Sequence, residues 1–331
     1  MRCGRGETEL RASIIIPTLN AEEHLPELLY RLHNQKTKPC EILVVDSESS
    51  DDTTKLAIRY GARVISIKRT EFDHGGTRNF AVKQAVGDMV VFITQDALPR
   101  NDQFLEELLL PLNDINVAAV SGRQIARKDA SALERFTREF NYPEVYSRKS
   151  IEDLKELGIK TFFFTNVCSA IRKETFLQMG GFQEPIIMNE DMILAAKCVL
   201  QGYSVVYNPN ACVIHSHDYS LLKQFHRNFD IGVSLRMNDW LLQYATAEKE
   251  GARLVTRQLG LLWKKGYKKS IPRCFAEATV KYSGYRLGLA YRKLPIWLIR
   301  RFSMHKNFWS TQHQQSVTVT VGESTNSRIA R

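Results

Sequence analysis

The sequence predicts an α/β fold: a Rossmann-like, doubly wound, mostly parallel sheet followed by a basic helical extension. Three observations predict it. Short apolar runs alternate with stretches of helical periodicity through the first hundred residues. The polar strings that could carry chemistry follow those runs, where the carboxyl ends of parallel strands would lie. Beyond about residue 220 the composition turns helical, basic and aromatic.

In order, "SIIIPTLN" (13–20) is a short apolar run closed by Pro17 and reads as a buried strand. "AEEHLPELLYRLHNQ" (21–35) places Leu25, Leu28, Leu29 and Leu32 at helical spacing. "CEILVVDSESSDDT" (40–53) is a second strand running into an acidic, serine-rich loop, in which Ser50 or Asp51 is a candidate cap for the helix ending at Gly61. "RVISIKR" (63–69) is a third strand, "TRNFAVKQAVG" (77–87) a helix closed by glycine, and "DMVVFITQDALP" (88–99) a fourth strand. Residues 100–160 read as mostly helical. "TFFFTNVCSAIRKETFLQMGGF" (161–182) gives an apolar segment, a helix and a glycine break. A helix over 189–203 opens on two acids, and 204–220 reads as two short strands around an Asn-Pro-Asn turn.

This divides the chain into a flexible start (1–11), a main domain (12–225), a helical extension (226–309) and a disordered tail (310–331). The extension reads as separable, so its removal is expected to spare ligand binding by the main domain. The net charge of +10 suits an anionic partner. Six cysteines without metal-like spacing, and a start without an apolar core, suggest reduced thiols in a cytoplasmic protein. No uncharged apolar run is long enough to span a bilayer.

The polar strings admit more than one reading. Asp46, at the end of the second run, fits a loop acid or an acceptor for a nucleobase N–H. "FDHGGTRN" (72–79) combines paired glycines, a helix start and Arg78, which suits a diphosphate and equally a tight turn. Glu190 and Asp191 fit either a catalytic base or acids complementing a helix dipole.

Taken together, "SIIIPTLN", "VVDSESSDDT", "FDHGGTRN", "FITQDA", "GGF" with "NED", and "HSH" occur in an order that resembles a family 2 glycosyltransferase of the GT-A fold. The likeness covers about residues 12–230 and is greatest to bacterial rhamnosyltransferases using dTDP-L-rhamnose. It implies donor contacts from Pro17, Thr18, Asn20 and Glu22, and from Asp46, Ser47 and Ser49. It extends them to His74, Gly75, Gly76, Arg78 and Asn79, and to Gln95 and Asp96. Where such enzymes usually carry Asp-x-Asp, this chain has Thr94-Gln95-Asp96, so one acid remains for Mg²⁺ or Mn²⁺. His215, or His217 two residues on, is implied as the further ligand. Asp191 is implied as the base, with Glu190 as the alternative.

The expected reaction is inverting transfer of a sugar to a hydroxyl of a lipid-linked or polysaccharide acceptor in cell-surface glycan synthesis. A UDP-sugar donor is the alternative within the fold. A nucleotidyltransferase would carry a glycine- and lysine-bearing loop after the first strand, where this chain has "PTLNAEEH". A nucleic-acid-binding protein is disfavoured by acids clustered at the strand ends. The basic extension, with "WKKGYKK" (263–269) and "YRKLPIWLIRRF" (291–302), fits either an anionic membrane surface or an ordinary solvated helical face.

Overall fold

The structure is a computed structural model; it describes residues 11–244 and 247–309, without the side chains of 247–253. The expectations for residues 1–10 and 310–331 lie outside the described residues. The strands are β1 (Ala12–Thr18), β2 (Glu41–Asp46), β3 (Arg63–Ser66), β4 (Met89–Ile93), β5 (Leu98–Pro99), β6 (Val117–Ile125), β7 (Ser147–Lys149), β8 (Cys168–Arg172) and β9 (Ser204–Ile214). Between the first strands run the helices α1 (Leu25–His33), α2 (Thr53–Arg59), α3 (Gly76–Gln84) and α4 (Phe104–Leu109). Then come α5 (Ala132–Asn141), the single turn α6 (Leu154–Leu157), α7 (Lys173–Gln178) and α8 (Glu190–Leu200). The C-terminal region holds α9 (Leu221–Met237), α10 (Ala247–Lys264), α11 (Ile271–Leu289) and α12 (Ile296–Phe302).

All nine strands form one sheet, in the order β3-β2-β1-β4-β8-β6-β9-β5, with β7 also on β9. The half from β3 to β4 is parallel, as the alternation of strands and helices requires. Antiparallel β8 joins it to the parallel pair β6–β9. Side chains alternate across the sheet. Ile14 and Ile16 of β1 therefore pack with Leu25, Leu28 and Leu32 of α1 and Phe104 of α4 on one face. Ile15 packs with Val82 of α3, Phe176 of α7 and Ile193 of α8 on the other. Both faces are covered, which makes the sheet doubly wound.

Two expectations are corrected. Residues 100–160 are not mostly helical: β6 runs for nine residues in the sheet interior. Only Val117–Val120 of its "VAAVSGRQI" form an apolar run, too short for periodicity alone to tell a strand from a helix. The two strands expected around Asn208-Pro209-Asn210 are one strand, β9. Its pairing with β6 jumps from Gly122–Asn208 to Arg123–Cys212, so the expected turn survives as a bulge.

The helical extension packs back on the main body. Helix α9 runs without break across residue 225. It lies against α11 with almost no gap: a Cβ on Gly288 would stand 2.1 Å from the carbonyl oxygen of Phe229, and one on Gly284 would stand 2.4 Å from that of Phe225. A third contact, α5 against α10 and α11, is built from Leu133, Phe136, Leu262 and Cys274.

Candidate active site

The carboxyl ends of β1, β2 and β4 open onto a cavity of about 890 Å³. Pro17, Thr18, Leu19, Ser47, Thr94 and Gln95 line it from the sheet, and His74 and Arg78 from the segment entering α3. Among the expected donor residues, Asp46 is 2% exposed and stays behind this wall. Its carboxylate accepts from the Thr18 hydroxyl at 3.0 Å, the Ser49 hydroxyl at 2.5 Å and the Ser49 N–H at 2.9 Å, which ties the two loops together. Gln95 does the same for the β1 loop, pairing with the Leu19 N–H at 2.9 Å and the Leu19 carbonyl at 3.2 Å. Asn20 and Glu22 lie further out: Asn20 accepts from the Ser50 N–H and Glu22 from the Asp52 N–H. The candidate caps before α2 resolve similarly, with Asp52 at the boundary and Asp51 accepting from the Thr53 N–H.

The "FDHGGTRN" segment works differently from a bare phosphate loop. Both glycine N–H groups are taken by Asp73, whose Oδ1 accepts from Gly75 at 3.0 Å and Gly76 at 2.7 Å. The acid thus closes the start of α3 itself. Glycine is required here by close approach: a Cβ on Gly75 would stand 2.0 Å from the Gln183 carbonyl oxygen. Asn79 completes this junction, exchanging hydrogen bonds at 2.8 Å with the Phe182 carbonyl and N–H. His74 and Arg78 remain for the cavity. The buried His74 Nε2 and Arg78 Nε have no protein partner. Burial lowers the His74 pKa despite the pull of the Glu190 charge, so its ring is neutral.

Beside the cavity, Asp96, His215 and His217 bring one ligand atom each to within 4.8 Å of one another. The single acid left in "TQDA" is therefore joined by both histidines of "HSH". His217 Nε2 lies 3.1 Å from Asp96 Oδ2, and His215 Nε2 lies 3.5 Å from Oδ1. The other ring nitrogen of His215 contacts Gln124 Oε1 at 3.0 Å, which fixes the proton on Nδ1 and leaves the Nε2 lone pair facing Asp96. Burial drives the His215 pKa down to about 3, so this imidazole is an uncharged donor at neutral pH. Burial also opposes the charge on Asp96, but the His217 hydrogen bond outweighs it and holds the carboxyl below its usual range. Two imidazoles and a carboxylate fit a divalent transition ion.

At the start of α8, adjacent carboxylates have different surroundings. Glu190 is buried and faces Arg78 Nη1 at 3.3 Å. Burial opposes its charge, but the Arg78 guanidinium outweighs that and keeps its pKa low. Asp191 is partly exposed, accepting from the Asn166 N–H at 3.0 Å and the Met192 N–H at 2.8 Å. Burial, then the Glu190 charge, pushes its pKa up to about 7. Asn166 also donates to Glu190 Oε1 at 3.1 Å, so one residue holds both acids.

Several site residues escape a sequence reading. Asn166 and Gln124 organise the acids and the histidine, and the only local signal is a polar Thr-Asn pair inside "FFFTNVCS". Met304 to Phe308 form one wall of the large cavity, with the His305 ring 4.7 Å from that of His74. The extension therefore forms part of the cavity at the sheet's carboxyl ends and does not stand apart from the main domain as the sequence suggested. This depends on long-range packing: Asp230 of α9 accepts from the Met304 N–H at 2.8 Å.

The model of the family "Glycosyl transferase family 2" matches residues 13–180. An O-antigen chain rhamnosyltransferase of Salmonella anatum is 40% identical over 301 residues, 90% of this chain and 95% of that protein. A second, from Salmonella typhimurium, is 37% identical over 91% of this chain and 96% of its own length. Among solved structures, a mannosyltransferase from Pyrobaculum calidifontis, in complex with GDP-Man and Mn²⁺, superposes with a TM-score of 0.58 at 20% identity. The likeness covers 83% of this chain and 87% of that one.

Proposed function

Because this chain belongs to glycosyl transferase family 2, we propose that it moves L-rhamnose from dTDP-L-rhamnose, with inversion, onto a hydroxyl of a lipid-linked O-antigen chain. The observation that carries glycosyl transfer is the grouping of Asp96, His215 and His217 beside a cavity at the sheet's carboxyl ends. The choice of sugar and acceptor rests on the two Salmonella relatives.

The nucleotide lies along Pro17 to Leu19 and Ser47, with its diphosphate toward His74 and Arg78. Asp96, His215 and His217 would hold Mg²⁺ or Mn²⁺, and the two imidazoles favour Mn²⁺. That ion supplies charge compensation for the leaving nucleoside diphosphate. Asp191 accepts the proton of the acceptor hydroxyl as its oxygen bonds to the sugar's anomeric carbon and the bond to the phosphate oxygen breaks. Glu190 keeps Arg78 in place, and Asn166 aims Asp191. A β-L-rhamnosyl donor then gives an α-L-rhamnoside.

The enzyme would act at the inner face of a membrane as a peripheral protein. No helix among the described residues is long and apolar enough to cross a membrane. Trp263 and Trp297 are 63% and 65% exposed on basic helices, which suits an anionic surface.

The test measures donor binding by calorimetry for dTDP-L-rhamnose, UDP-glucose and GDP-mannose with Mn²⁺, and defines the product anomer by NMR. Preferred binding of dTDP-L-rhamnose and an α-linked product are expected. Asp96→Ala should remove the metal-dependent part of donor affinity. Preference for a UDP-sugar would refute the rhamnosyl reading, and a β-linked product would refute single displacement.

A further inference from the structure

A second cavity, of about 350 Å³, opens next to the Asp96 group. Its floor is the end of β6, from Arg123 to Ile125. Its walls are the loop carrying Arg127 and Lys128 and the face of α5 carrying Arg135 and Arg138. Gln124 is shared: it lines this cavity and holds His215 through its Oε1. The Arg127 N–H donates to the Ser216 hydroxyl at 3.0 Å, tying the loop to the histidine-bearing segment. Tyr142 closes another side, and Gln124 Nε2 donates to the Thr165 hydroxyl at 3.4 Å, next to Asn166, whose N–H holds Asp191.

The charge in this cavity is one-sided. Five cations line it against a single carboxylate, Glu139. Arg123 is paired with Glu144 and Arg138 with Glu134, both at 2.7 Å. Arg127, Lys128 and Arg135 have no carboxylate partner among the described residues; Arg135 donates to the Lys128 carbonyl. Three uncompensated cations in a concave site match a multiply charged oxyanion. The cavity assigned to the donor shares no lining residue with this one, so an anion held here would belong to a second substrate.

We propose that this cavity binds the diphosphate of a lipid-linked sugar acceptor, with Arg127, Lys128 and Arg135 as its ligands, so that the attached sugar reaches toward Asp191. The assignment rests on the transferase reading above. Free diphosphate, a lipid diphosphate and an anionic lipid headgroup share phosphate chemistry, and the experiment separates them.

Full-length wild type is compared with Arg127→Ala/Lys128→Ala and with Arg135→Ala, each checked by thermal unfolding. Inorganic pyrophosphate binding is measured in metal-free buffer. Transfer is measured to one glycan carried on a short polyprenyl diphosphate and on an uncharged alkyl chain. Expected are pyrophosphate binding at least tenfold weaker in the double variant and a KM at least tenfold higher for the diphosphate acceptor. Donor affinity and the KM for the alkyl glycoside should not change. Wild type that binds pyrophosphate no better than the variant, or that uses both acceptors with equal KM, overturns the proposal and leaves the transferase reading standing. Displacement of pyrophosphate by phosphatidylglycerol vesicles alone reassigns the site to a headgroup and also overturns it. If no donor supports transfer while pyrophosphate still separates wild type from variant, the rhamnosyl reading falls and the anion site stands. Were the double variant not to fold, Arg135→Ala alone should raise the diphosphate acceptor's KM severalfold, and an unchanged KM would count against the site.

Discussion

Pairing with Arg78 separates two adjacent carboxylates at the start of α8. Glu190 is 6% exposed and bound to Arg78, so its charge is spent on structure. Asp191 is more open, and its raised pKa suits a proton acceptor. Asp191→Asn should therefore lower turnover by ~10²–10⁴-fold, with donor affinity unchanged in a binding assay. Glu190→Gln should instead lower stability by about 3 kcal/mol, because removing one partner leaves Arg78 buried without its charge; chemical denaturation measures this. The pH dependence follows with a definite sign. Asp191 must be ionised to act, so turnover should rise with pH through a midpoint well above ~3.9, the ordinary Asp value. The folded state holds this proton more tightly than the unfolded one, so the stability it adds fades as pH rises toward about 7. A turnover profile already flat at pH 5 would rule out Asp191 as the base. The acids, Asp96 and the histidines were all legible as residues in "NED", "TQDA" and "HSH". Which acid is buried was not, because burial depends on the packing of Arg78 and Asn166 from distant segments.

At the scale of elements, the parallel half of the sheet could be read directly, since each strand and its helix bury side chains patterned within one local stretch. Strand β6 could not, because its small apolar residues carry no period that excludes a helix. The segment 304–308 had no local signal at all. It reaches the large cavity, the proposed donor site, through the Asp230–Met304 bond and the packing of Ile299 and Trp309 against Ile187 and Met188. A chain ending at Phe302 should therefore bind the nucleotide-sugar about tenfold more weakly, the loss of about one good hydrogen bond. Isothermal titration of wild type and truncated protein is the check; equal affinities would show that this wall makes no contact with the donor.

Across the whole molecule, the basic helices join three jobs that the chain order keeps apart. Helices α9 and α11 brace the body, the segment after α12 walls the proposed donor cavity, and α10 packs on the helix that lines the basic cavity. The exposed Trp263 and Trp297 remain for an interfacial role. Trp263→Ala/Trp297→Ala should reduce sedimentation with phosphatidylglycerol vesicles severalfold without changing donor affinity. Undiminished sedimentation would place any membrane contact elsewhere.

Local pattern was enough for the parallel half of the doubly wound sheet, the strand ends beside the candidate site, and the acids and histidines available there. These are properties of local hydrophobic period and of motif order, which a single chain displays without folding. Packing set the rest: both histidines meet Asp96, Asp73 occupies the glycine N–H groups, and residues 304–308 wall the large cavity. Each of those depends on groups brought together by packing, and no local pattern encodes a contact whose partner lies on another element.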